Sequence, residues 1–98
     1  MKKKYILEKS NRKDKKYMIK NGKTIHFGQS GYSDFTINKN ENKKKNYIAR
    51  HKVRENWNDL SSAGAWSGGI LWNEKSIPKS IKKMESKFNI NIINRINK

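Results

Sequence analysis

Apolar residues along this chain come in short groups set in a strongly polar background, and their spacing changes partway from strand-like to helix-like. Residues 16–20 (Lys-Tyr-Met-Ile-Lys) and 23–27 (Lys-Thr-Ile-His-Phe) flank Asn21-Gly22. That pattern predicts a β-hairpin, because Asn-Gly supplies the two positive-φ residues of a type I′ turn. The stretch 3–9, with Tyr5, Ile6 and Leu7, predicts a third strand and hence a small meander, separated from the hairpin by charged residues 10–15. Gly28 and Gly31 then predict a loop.

From Asn40 to about Arg54 there is no proline or glycine, and Lys44, Tyr47, Ile48 and His51 recur at spacings of three and four, which predicts a helix capped by Asn40 or Asn42. A second, short and mostly buried helix is expected over residues 63–72, weakened by Gly68-Gly69. Ser76 as cap with Pro78 in the first turn starts a third, whose apolar stripe is Ile81, Met84 and Phe88. After Asn89 the isoleucines at 90, 92, 93 and 96 suit a strand or a frayed helix, and we expect a short extended segment. The predicted class is therefore α+β: an N-terminal hairpin or meander followed by about three short helices.

Ten aromatic residues are distributed almost evenly along the 98, unlike a disordered basic tail. We expect one folded domain over residues 5–98, with residues 1–4 a loose basic N-terminus. Trp57, Trp66, Trp72, Tyr47 and Phe88 are the expected core aromatics; base stacking by the tryptophans is the weaker reading, since Trp66 and Trp72 sit in the least charged part of the chain. At 33% apolar residues the core is modest.

Charge changes the picture most. Twenty-four Lys and Arg face eight Asp and Glu, a formal net charge of +16, with the excess spread over the whole chain. Lys, Asn and Ile are abundant, as adenine-thymine-rich codons would make them, but the same bias favours Glu and Asp, and these are scarce. Such a surplus attracts polyanions and opposes self-association without them. No run suits a membrane span or secretory signal, so a soluble protein made inside a cell is expected. The absence of cysteine excludes disulfides, thiolate metal sites and thiol nucleophiles.

Candidate chemistry is sparse. His26 and His51 have no partner at metal-ligand spacing, no carboxylate pair suits a two-metal nuclease, and the glycines near residue 28 match no phosphate-cradling motif. We expect no enzyme activity, metal, cofactor or small-molecule substrate. A small nuclease using His51 with Asp34 or Glu55 is an alternative. Residues 42–54 are the informative segment, with six cations and no acid. On a helix Lys43, Arg50 and Arg54 fall on one side and Lys45 and Lys52 on another, while Tyr47 and Ile48 face inward. With Lys44 and His51, these are the expected contacts to duplex DNA phosphates. Lys79, Lys82 and Lys83, beside Lys75, extend the basic surface along the last helix or merely solubilise it.

The order of short motifs adds a resemblance. Lys15-Lys16-Tyr17, His26-Phe27-Gly28, Gly31-Tyr32-Ser33-Asp34-Phe35-Thr36, Tyr47-Ile48-Ala49-Arg50-His51, Glu55-Asn56-Trp57, Ala65-Trp66-Ser67 and Ile70-Leu71-Trp72-Asn73 resemble a family of small basic proteins of nucleocytoplasmic large DNA viruses, in mimivirus-like giant viruses and algal viruses. Where that pattern has an Arg-Trp pair, this chain has Gly68-Gly69. The resemblance implies a viral protein packaged in the virion with the genome, and present in the host cytoplasm or viral factory beforehand.

The expected function is sequence-independent binding of double-stranded DNA, condensing or packaging a large viral genome by phosphate neutralisation. Twenty Lys against four Arg disfavour base reading, because Arg is the usual bidentate reader of guanine. Condensation needs two DNA contacts per particle, from basic patches on opposite faces or from a homo-oligomer formed through an apolar surface around residues 90–96. An RNA-binding module is a further alternative; it would need Tyr17 or Phe27 exposed on the hairpin to stack unpaired bases. Asp34 is expected to cap a turn or to pair with Arg50 or Lys52. No broad apolar helix face suits a membrane surface.

Overall fold

A computed structural model describes residues 2–96. Three antiparallel strands, β1 (Lys3–Lys9), β2 (Lys15–Asn21) and β3 (Lys23–Gln29), form the expected meander. A fourth, β4 (Ile90–Asn94), returns to lie parallel to β1, giving the order β3-β2-β1-β4. Between β3 and β4 run α1 (Phe35–Asn38), α2 (Glu41–Lys52), α3 (Ala63–Trp66), a π-turn over Ser67–Leu71 and α4 (Ile77–Phe88). The α+β class is as read from the sequence. The short α1 and the return of the chain into the sheet through β4 are what the element pattern left out or placed only as an extended segment.

Register explains the core. Leu7 pairs with Ile19 and Ile19 with Ile25, so their side chains share one sheet face. Tyr5 pairs with Ile92 and Lys3 with Ile90, which carries that face onto β4. Trp66, Ile70, Leu71, Ile81 and Met84 cover it, and Leu7, Trp66 and Ile70 are fully buried. The Trp66 indole stacks obliquely on Tyr5, with ring centroids 5.1 Å apart, and donates its N–H to the Leu60 carbonyl at 2.8 Å. A large apolar body with a satisfied polar tip is the usual reason a tryptophan is tolerated so deep.

Three local devices set the helices. Ser62 accepts the Ala65 amide and starts α3; Ser76 accepts the Lys79 amide and starts α4, with Pro78 in its first turn. Gly68 and Gly69 are sites of close approach within the π-turn. A methyl group added at Gly68 would lie 2.8 Å from the Trp57 ring, and one at Gly69 would lie 2.3 Å from the Met84 sulfur. The two glycines therefore do not simply weaken a helix: they let α4 and Trp57 close on the turn.

Several expectations need correction. Lys3 and Lys4 belong to β1, held by pairing with β4, so of the N-terminal residues expected to be loose these two are ordered by the sheet; Met1 lies outside the described residues. In the hairpin only Gly22 has positive φ, and Asn21 pairs with Lys23. The turn is thus tighter than, and different from, a type I′ Asn-Gly turn. Trp57, Trp72 and Phe88 are half-buried; Trp72 and Phe88 pack on the edge of the core, and only Trp66 and Tyr47 of the expected aromatics are buried. Ile90, Ile92 and Ile96 are buried by the chain's own sheet and helices, which removes them as an association surface.

Candidate nucleic-acid interface

The sequence of α2 dictates a helix that stands off the body. Asn40 caps it, accepting the amides of Asn42 at 3.0 Å and Lys43 at 3.2 Å. Glu41 in the first turn and Arg50, His51 and Lys52 in the last complement the helix dipole. Of its twelve residues only Tyr47 is buried. The Tyr47 ring lies against Trp72 with centroids 4.4 Å apart and planes 7° from parallel, against His51 at 4.1 Å, and more distantly against Trp57 at 6.2 Å. Its hydroxyl donates to Ser67 Oγ at 3.1 Å. Burial pushes the Tyr47 phenol above its ordinary range, an effect the Ser67 hydrogen bond reduces.

This anchoring sorts the basic residues. Lys43, Lys45, Arg50 and Lys52 are exposed and, among the described residues, have no carboxylate partner. Lys44 is different. Its Nζ donates to the Asn73 carbonyl at 2.6 Å and lies 4.9 Å from the centre of the Phe35 ring, so it ties α2 to the body and is withdrawn from the expected DNA contacts. Arg54 lies just beyond the helix: α2 ends at Lys52, and Arg54 is exposed in the turn that follows, where the Arg54 and Glu55 amides both donate to the His51 carbonyl. On α4, Lys79 and Lys82 are exposed and have no acid partner among the described residues, whereas Lys83 reaches Glu74 at 3.2 Å.

Of the groups considered for hydrolysis, His51 and Glu55 lie side by side, and both Glu55 and Asp34 also hold structural partners. His51 Nδ1 is 3.6 Å from Glu55 Oε2, and the other Glu55 oxygen accepts the Trp57 indole N–H at 2.9 Å. Asp34, only 2% exposed, caps α1 through the Thr36 amide and takes a hydrogen bond from the Thr36 hydroxyl. Its second oxygen pairs with Lys16 Nζ at 2.6 Å, so its cation is Lys16 and neither Arg50 nor Lys52. Among the described residues no three His, Asp or Glu side chains gather as a metal ion would require.

The motifs that are scattered in sequence converge in space. A cleft of about 490 Å³ opens between α2 and the β2–β3 end of the sheet, and it is shared by Lys15, Lys16, Tyr32, Lys43, Arg50 and His51. Phe27, Tyr47, Leu71 and Trp72 also reach it. The Lys16–Asp34 pair holds the 30–34 loop against the sheet end, and Tyr32 at its crest is 65% exposed. Lys15, Tyr32 and Asn38 line this cleft and were not among the site residues expected from sequence. The signal was an aromatic residue in a glycine-flanked polar loop, a place where it has no core to join.

No helix among the described residues is long and apolar enough to cross a membrane. No curated protein and no solved structure matches the chain. One family does, described as a family of unknown function (DUF5754), and it matches residues 5–51. That span takes in β1 to β3, α1 and nearly all of α2, and therefore both long walls of the cleft.

Proposed function

We propose that this protein binds duplex DNA through its phosphates without reading bases, and that many copies condense or package a large viral genome. The observation that carries this reading is α2: a helix with one buried residue, presenting Lys43, Lys45, Arg50 and Lys52 to solvent with no acid among the described residues to neutralise them. Packing does not account for those cations, and a net charge of +16 adds a long-range field of the same sign. The likeness of the motif series to proteins of nucleocytoplasmic large DNA viruses supports a viral setting, with the protein in the virion beside the genome and earlier in the host cytoplasm or viral factory.

Condensation by opposite basic faces is the form the packing favours, since Ile90, Ile92 and Ile96 are spent on the core. Lys79 and Lys82 on α4 and Lys4 and Lys23 on the strands supply exposed cations away from α2. The hairpin stacking platform that an RNA-binding module requires gains no support: Phe27 is 1% exposed and Tyr17 packs against the core. A nuclease using His51 has Glu55 beside its ring, but Glu55 is also bonded to Trp57 and Asp34 is paired with Lys16, so duplex binding is the better-supported reading. We therefore assign no catalysis, cofactor or metal to the reading.

Salt titration tests it. If about five or more phosphates are neutralised, log K for a duplex falls with log salt at a slope near minus that number, almost independent of sequence. A shallow slope with marked preference for one sequence refutes the proposal.

A further inference from the structure

We infer that the cleft between α2 and the β2–β3 end of the sheet is a pocket for one nucleoside phosphate, its phosphate met by Lys15, Lys43 and Arg50 and its base laid against Tyr32. The inference deepens the nucleic-acid reading of α2 and rests on it, since Lys43 and Arg50 serve both.

Four observations converge. The cleft, at about 490 Å³, falls in the range of small-ligand pockets and has room for one nucleotide. Its charge is positive in balance: Lys15, Lys43 and Arg50 have no acid partner among the described residues, Asp34 is matched by Lys16, and Glu55 accepts the Trp57 indole N–H beside His51. An anion entering there meets three cations opposed only by the Glu55 charge. Beneath the opening lie Phe27, Tyr47 and Leu71, themselves buried, with the half-buried Trp72 beside them as the apolar surface a ligand can reach. A rail for duplex phosphates requires no such concave apolar lining, whereas a base with its sugar does. Finally, Tyr32 is 65% exposed on a loop whose neighbouring Asp34 is fixed by a buried ion pair, so its ring is presented to solvent at the cleft without serving the core. An exposed ring beside cations is the pairing that receives an unstacked base.

The same chemistry is offered by an unpaired nucleotide in a strand and by a free nucleotide, and the test separates them. Binding of a blunt duplex and of the same duplex carrying a short unpaired tail is measured by fluorescence anisotropy for the unaltered protein and for Tyr32→Ala, with amide NMR spectra recorded on adding a deoxynucleoside monophosphate. The unaltered protein is expected to prefer the tailed duplex about five-fold or more, the low end of one stacked base. In Tyr32→Ala that preference disappears while blunt-duplex affinity stays within about two-fold. Shifts at Tyr32, Asn38 and Arg50 with the monophosphate, without any preference for the tail, support the pocket and name the free nucleotide as its occupant. No tail preference and no such shifts overturn the inference, as does a tail preference that survives in Tyr32→Ala. Steep salt-dependent binding of blunt duplex with an unresponsive cleft sinks this pocket alone; a responsive cleft with no duplex binding sinks the duplex reading instead.

Discussion

α2 and α4 are both twelve residues long, both capped by a short polar side chain, and both rich in lysine, yet they are attached to the fold in different ways. α4 buries Ser80, Ile81 and Met84, and the Met84 side chain closes on Gly69. α2 buries only Tyr47, and is held by an aromatic stack, a hydroxyl bond to Ser67 and the Lys44 contact with Asn73. An apolar stripe explains why α4 is where it is, whatever its exposed lysines contact. Nothing comparable explains α2, whose surface cations are the main thing it presents. Lysine content alone does not distinguish a structural helix from an interaction helix; the number of residues each one buries does.

The comparison can be broken most severely from the core side. Trp66→Ala removes a fully buried indole and its bond to Leu60, and is expected to destabilise the domain by about 3 to 5 kcal/mol in urea unfolding, enough to abolish most of a small domain's stability. Met84→Ala on α4 should follow at about 2 to 4 kcal/mol, with α4 and the sheet lost in one transition. A much smaller loss would mean that α4 is no better anchored than α2. Reversing charge at Lys43, Arg50 and Lys52 together should lower duplex affinity about ten-fold or more at low salt while moving the unfolding midpoint by no more than about 0.5 kcal/mol equivalent. The matched reversal at Lys79, Lys82 and Lys87 should weaken binding less, and equal losses would erase the distinction. Lys44→Ala should do the opposite of the α2 surface changes, costing about 1 kcal/mol of stability and leaving the salt slope unchanged.

The smallest effect concerns pH. Because burial raises the Tyr47 phenol above its ordinary value of about 10, the unfolded chain loses this proton first as the solution becomes alkaline. Its contribution to stability is thus intact below about pH 10 and declines as pH rises towards the folded value. Tyr47→Phe should flatten that part of the pH–stability curve, at a loss of about 1 kcal/mol near neutrality from the missing bond to Ser67.

Where signals were local, the chain was legible. The α4 start at Ser76 and Pro78, the Asn40 cap and the hairpin around Gly22 all depend on neighbours a few residues apart. The three-and-four spacing that located α2 had already put Lys44 on the side of Tyr47, Ile48 and His51. Charge, not spacing, assigned it to DNA, and the fold sides with spacing. What was not legible joins distant segments. Lys16 meets Asp34 across eighteen positions, and Lys44 meets Asn73 across twenty-nine, so neither choice of partner leaves a trace in any short window. The cleft was hidden for the same reason: its pieces were each visible as motifs, but only the third dimension sets Lys15 and Tyr32 beside Arg50.

The parallel pairing of β1 with β4 has a kinetic consequence. Lys3 is matched with Ile90, so nearly all of the described chain must be threaded between two neighbours of one sheet, whereas β1, β2 and β3 meet through short connections. Loop closure over that distance is slow compared with hairpin formation. The meander should therefore assemble early, leaving one flank of β1 unsatisfied until the last strand arrives, and that interval is when this molecule is most exposed to misassembly with its own copies.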